Sequence, residues 1–172
     1  MRAAAREALS LPLCLVAWLG LLCCAPAASA QQLPVKSYTT ADGLAHDRVL
    51  RVVGDSRGFL WFCTIDGLSR FDGAHFTTYG AKQGLPYPFI NDLVEWRPGE
   101  YWLATNGGGL ARLDLRHGAR PDGPGRAPSQ FTAYPVGHTQ ATNRVRALCR
   151  DRAGRLWVGT DGGLFLVEGP EG

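Results

Sequence analysis

Gly154-Arg155-Leu156-Trp157-Val158-Gly159-Thr160-Asp161-Gly162-Gly163-Leu164 (GRLWVGTDGGL) is the stretch on which the fold turns, because it occurs three times. Its earlier copies are GFLWFCTIDGL at residues 58–68 and GEYWLATNGGGL at residues 99–110. Aligning the copies on Trp61, Trp102 and Trp157 places Gly58, Gly99 and Gly154 three residues ahead, and Thr64, Thr105 and Thr160 three residues behind. Each copy closes on a Gly-Leu pair whose leucines are Leu68, Leu110 and Leu164. Working outward, Tyr38, Tyr79 and Tyr134 stand 23 residues before the tryptophans, and Val49, Ile90 and Val145 stand 12 before. Agreement at so many fixed offsets is an internal repeat.

The tryptophans are 41 and 55 residues apart, and the extra length matches the 14 residues of Arg116–Ser129 (RHGARPDGPGRAPS), read as a loop insertion. A unit of about 41 residues divides into four apolar segments separated by turn residues. In the first unit these are Arg48–Val53, Phe59–Thr64, Gly67–Phe71 and His75–Tyr79. Asp55-Ser56-Arg57-Gly58, Ile65-Asp66 and Asp72-Gly73 supply the Asp and Gly chemistry of tight hairpins between them. The second segment carries Leu60, Trp61, Phe62 and Cys63, which predicts a strand buried on both faces. Four antiparallel strands repeated at this period define a β-propeller blade. The expected fold is all-β, with about three blades of an incomplete ring in units 37–73, 75–115 and 130–169.

Composition agrees with this and removes other classes. The 172 residues carry 18 Lys and Arg against 15 Asp and Glu, so no polybasic footprint marks a nucleic-acid partner. Five Trp, five Tyr and seven Phe are too many large apolar groups for a disordered chain, and 22 Gly with 11 Pro suit short strands. Residues 1–30 read as a secretory signal: Arg2 and Arg6, an apolar run from Leu9 to Cys24, then Ala28-Ser29-Ala30 as the cleavage site. Cleavage after Ala30 leaves residues 31–172 as a partial propeller, with no further membrane span and a periplasmic or extracellular location. Of the five cysteines only Cys63 and Cys149 then remain. They fall in different units, which predicts two buried free thiols rather than a disulfide. Unpaired faces at the two ends of so short a stack predict poor cooperativity or aggregation.

The pattern G-x-L-W-x-G-T-x-G-G-L, with F-T-x-Y upstream and Gly-Leu-Pro at 84–86, resembles the two-component regulator propeller repeat. The resemblance spans roughly residues 35–167. Cys63 and Ala104 depart from the small glycine seen at Gly159, and the third unit lacks the Gly-Leu of 43–44 and 84–85. The resemblance implies the sensor region of a hybrid histidine kinase system, with further blades and signalling domains as partners of these residues. It implies neither a cofactor nor a catalytic centre in this stretch.

The residues themselves give no chemistry of their own. His46, His75, His117 and His138 form no ligand pair, so no metal site is expected, and no serine stands in a nucleophile-elbow context. The run Asn106-Gly107-Gly108-Gly109 lacks the Lys-Ser/Thr of a phosphate loop and reads as a hairpin. The recurring Tyr, Gly, Trp, Thr and Leu positions read as packing, since sites in propellers vary from blade to blade. One loop face collects Asp42, His46, Lys82, Gln83, Tyr87 and Asn106, polar and aromatic groups suited to a small molecule or oligosaccharide. Two functions follow: a ligand-sensing propeller of a two-component receptor, or the N-terminal part of an exported propeller enzyme, a lyase or hydrolase whose catalytic residues lie in other blades.

Overall fold

Three antiparallel sheets follow one another along the chain in a computed structural model that describes residues 33–116 and 130–167. The expected signal peptide, and the insertion apart from Arg116, lie outside the described residues. Everything below concerns the unit Ser37–Gly172. The first sheet orders β1 (Val49–Gly54), β2 (Leu60–Thr64), β3 (Gly67–Phe71) and β4 (Phe76–Tyr79) as β1-β2-β3-β4. The second repeats this with β5 (Ile90–Arg97), β6 (Glu100–Thr105), β7 (Leu110–Asp114) and β8 (Phe131–Tyr134). The third pairs β9 (Val145–Arg150), β10 (Leu156–Thr160) and β11 (Gly163–Val167) in the same sense. These are propeller blades, four-stranded twice and three-stranded once among the described residues.

Each repeat position has a physical task. Thr64, Thr105 and Thr160 donate their hydroxyls to the carbonyls of Gly67, Gly109 and Gly163, at 2.8, 2.8 and 2.9 Å. The same hydroxyls accept the amides of Asp66, Gly108 and Gly162, so each threonine ties both sides of its hairpin. The repeated tryptophans all point to the face toward the following sheet. Trp61, Cys63, Leu68 and Tyr79 pack in one cluster with Ile90, Leu93, Tyr101, Leu103, Leu113 and Phe131 of the second sheet. Trp102, Ala104 and Leu110 pack in another with Val145, Leu148, Leu156 and Val158 of the third. Each sheet therefore has a trailing face, carrying the repeat tryptophan, and a leading face that receives the previous one.

This alternation corrects two expectations. The second strand is not buried on both faces in every blade: Trp61 and Cys63 are fully buried, while Leu60 on the leading face of β2 is 42% exposed. No sheet among the described residues covers that face. Cys149 is exposed rather than buried, although both thiols are free as expected. It occupies the position of Val53 and Val94, which pack into the two clusters, but on the trailing face of the third sheet nothing lies over it. Burial, and then the nearby Asp92 charge, push the Cys63 thiol far above its ordinary range. A thiol reagent applied to the native chain should therefore modify Cys149 quickly and Cys63 only after unfolding, read by peptide mapping.

The inner strands are joined by one buried carboxylate. Asp92 on β5 accepts the Leu148 amide of the third sheet at 3.0 Å and lies 3.2 Å from Arg51 Nε of the first. Its other bond is from the Leu93 amide. A side chain with all its bonds made on three strands of three sheets fixes their relative register.

Candidate functional site

The loop face is built from the connections that lead from one sheet's outer strand to the next sheet's inner strand. In the 84–89 connection, consecutive carbonyls split between two hairpins: Pro88 accepts the Gly67 amide of the first sheet and Phe89 the Asn106 amide of the second. The 137–144 connection repeats the device, with Asn143 accepting from Gly109 and Arg144 from Asp161. Every connection is thus bolted to the sheet it leaves and the sheet it enters, which makes this face a rigid platform.

The polar residues expected here divide by role. Asp42 ends a short helical turn, Thr40–Asp42, and accepts the Thr39 amide at 2.8 Å. Gln83 does the same for Gly80 in the turn Ala81–Gln83, also at 2.8 Å, while Lys82 stands exposed between them. His46 accepts the Arg48 amide through Nδ1 at 2.9 Å. Asp42, His46 and Gln83 thus shape their own loops. Tyr87 and Asn106 are brought together. The Tyr87 ring lies on the Gly107-Gly108 turn, so close that a Cβ built on Gly107 would meet its hydroxyl at 2.8 Å. Asn106 bridges to Arg144 through the backbone, and its side-chain oxygen is buried without a hydrogen-bond partner. Arg146 holds Asp161 by two bonds, at 2.7 and 2.8 Å, and these hold the Asp161 carboxyl below its usual range.

The closing glycines of the hairpins test this construction. Gly109 has φ +76, and a Cβ there would run into the Tyr134 carbonyl, with Pro135 Cα at 3.0 Å. Gly163 has φ +132 but meets only Phe165, at 4.0 Å. Gly109→Ala should cost about 2 kcal/mol more than Gly163→Ala in urea unfolding, because it adds a backbone clash to the shared conformational strain.

A second constellation, not anticipated from the sequence, lies at the opposite ends of the sheets. Asp55 Oδ2 accepts Trp61 Nε1 at 2.9 Å and the Tyr101 hydroxyl at 2.6 Å, and Arg57 bonds that hydroxyl at 2.9 Å. Asp151 accepts Trp157 Nε1 at 2.9 Å and Arg155 Nε at 2.7 Å. The signal is an aspartate six residues before the tryptophan. In the second unit Trp96 replaces it, and Trp102 Nε1 is buried without a partner. Burial raises the Asp55 carboxyl, yet the Tyr101, Trp61 and backbone bonds outweigh it and leave the group below its ordinary value. The Trp157 bond depresses Asp151 further, and Arg116 brings Asp114 to about 2. Depressed carboxylates contribute stability that is present above about pH 4 and is lost as pH falls through the folded values. Urea midpoints should accordingly hold steady from neutrality to about pH 4 and fall between there and about pH 2. A midpoint unchanged over that window contradicts these bonds.

The sheets, their order and the tryptophan-centred packing define the class, successive blades of a β-propeller. Within it, residues 139–162 match the family model described as Two component regulator propeller, so the chain carries that family's repeat, as the tryptophan pattern implied. A 44-residue segment, 26% of the chain, is 46% identical to Histidine kinase P4 of Formosa agariphila and spans 3% of it. The fold resembles the extracellular domain of a hybrid two component system from B. thetaiotaomicron, with TM-score 0.60 and 23% identity over 74% of this chain and 16% of that one. A second such domain from the same organism gives TM-score 0.58 and 18% identity, over 84% and 18%. The chain thus spans less than a fifth of the length of these proteins.

Proposed function

We propose that these blades form part of the extracytoplasmic ligand-sensing region of a two-component receptor of the hybrid histidine kinase type, periplasmic or extracellular in location. The observation that carries this reading is the family match at residues 139–162, which falls on the third tryptophan repeat and includes the 139–144 connection of the loop face. The kinase relative and the extracellular domains named above support it. No helix among the described residues is long and apolar enough to cross a membrane. The blades contribute recognition, and catalysis belongs to other parts of the receptor.

Recognition is assigned to the loop face. Tyr87 offers a ring for stacking on a sugar, and the unpartnered Asn106 oxygen offers an acceptor for a hydroxyl donor. An oligosaccharide combines both requirements. The test is a panel of neutral and acidic oligosaccharides titrated against the chain by ligand-observed NMR. Saturable binding to one class, weakened at least about tenfold by Tyr87→Ala (about 1.4 kcal/mol) and unaffected by Arg152→Ala on the opposite ends of the sheets, is the expected result. Binding that ignores Tyr87 and Asn106 removes this face as the site. The reading frame beyond codon 172 tests the receptor assignment: a β-sandwich, one membrane span and a kinase are expected there. Blades that close a ring with clustered His and Glu would replace the receptor by an exported enzyme.

A further inference from the structure

The chain exposes two apolar faces that are the two halves of an interface it already builds twice. On the trailing side of the third sheet lie Cys149, Trp157, Gly159 and Leu164. Leu164 is 68% exposed, whereas Leu68 and Leu110, its equivalents, are 0% and 3% exposed. On the leading side of the first sheet lie Val52, 53% exposed, and Leu60, 42% exposed. Their equivalents in the second sheet, Leu93 and Tyr101, are buried in the first cluster, and those in the third, Leu148 and Leu156, in the second.

The side chains on the open faces also complement each other in size. Along the central strands, trailing Cys63 shares a cluster with leading Leu103, and trailing Ala104 shares one with leading Val158. The remaining positions are trailing Gly159, the smallest of its series, and leading Phe62, the largest of its own. A large residue on one face and a small one on the other preserve interface volume. The tryptophan position behaves likewise: Trp61 packs on Tyr101 with ring centroids 4.6 Å apart, Trp102 shares its cluster with Leu156, and Trp157 is left for Leu60.

We propose that two copies of this chain associate head to tail, the third sheet of each against the first sheet of the other. Such a contact is heterologous, so it must either close or propagate. Two copies place six sheets in a cycle, within the roughly 4–8 blades over which propellers close, and both apolar faces of both copies are then covered. The association is a property of the outer sheets and does not depend on the ligand assigned to the loop face.

Sedimentation of the chain over a wide concentration range, with Val52→Lys and Leu164→Lys, tests the proposal. Both positions are exposed, so neither change disturbs the packing within a copy, and circular dichroism verifies that each variant keeps its strands. The wild type is expected to dimerise reversibly. Each variant alone should be monomeric, because every head-to-tail contact needs one leading and one trailing face. An equimolar mixture should recover a one-to-one dimer, since it retains one unaltered face of each kind. A wild type that is only ever monomeric, as when these faces receive only further sheets of the same polypeptide, overturns the proposal. So do open-ended polymers, a variant that still self-associates, or a mixture that stays monomeric.

Discussion

Trp61→Ala should be among the most damaging single substitutions in the chain, lowering the unfolding free energy by about 3–5 kcal/mol. Trp61 is fully buried, stacks on Tyr79 at 5.8 Å and lies tilted against Tyr101 at 4.6 Å, so its loss opens a cavity at the centre of the first interface. Trp157 holds the same place in its repeat but faces outward from the third sheet and is half-buried. Trp157→Ala should cost only about 1–2 kcal/mol, the transfer term without a full cavity. Replacement by phenylalanine separates packing from hydrogen bonding. Trp61→Phe removes the donor to Asp55 Oδ2 and should be clearly destabilising. Trp102→Phe removes an indole N–H that is already without a partner and should cost less. Urea midpoints of the variants, measured at one protein concentration, give the order. Equal costs for Trp61→Ala and Trp157→Ala would contradict the assignment of trailing faces.

The repeat was legible because its residues are physically irreplaceable in each copy. A tryptophan must fill each interface, a threonine must tie each hairpin, and Gly109 must stand where the Tyr134 carbonyl leaves no room for a Cβ. The aspartate that holds the indole escaped notice because only two units carry it, Asp55 and Asp151, with Trp96 in the middle one. Strand periodicity sorts residues into two faces but does not reveal which faces are covered. That is why Cys149, on the same face and at the same repeat position as Val53 and Val94, proved exposed. The loop face was harder to read. Asp42 and Gln83 have the composition of ligand contacts, yet their side chains satisfy the amides of their own turns. Of the six residues chosen for that face, only Tyr87 and Asn106 owe their placement together to the fold, through the glycines that let the ring approach the hairpin.

Glu100 marks the second site where a large effect is expected. It opens β6 where Phe59 and Arg155 stand in the other units, and it is 2% exposed. Its carboxylate lies 2.7 Å from Arg112 Nη2 and 2.9 Å from Arg116 Nη2, and Arg116 also holds Asp114 at 2.7 Å. Two carboxylates and two guanidiniums thus balance beside the first interface. Burying them has a high desolvation cost that only complete pairing offsets. Glu100→Ala should destabilise by about 3–5 kcal/mol, because Arg112 and Arg116 lose their buried counter-charge. Glu100→Gln keeps the shape but not the charge and should fall between Glu100→Ala and wild type. The double change Glu100→Leu with Arg112→Leu should recover much of the loss, since apolar groups of similar volume need no partner. A double-mutant cycle on these two positions reads the coupling directly. A coupling of at least about 1 kcal/mol is expected for neighbours sharing one charge network, and additive costs would mean that the two side chains do not form the pair seen here.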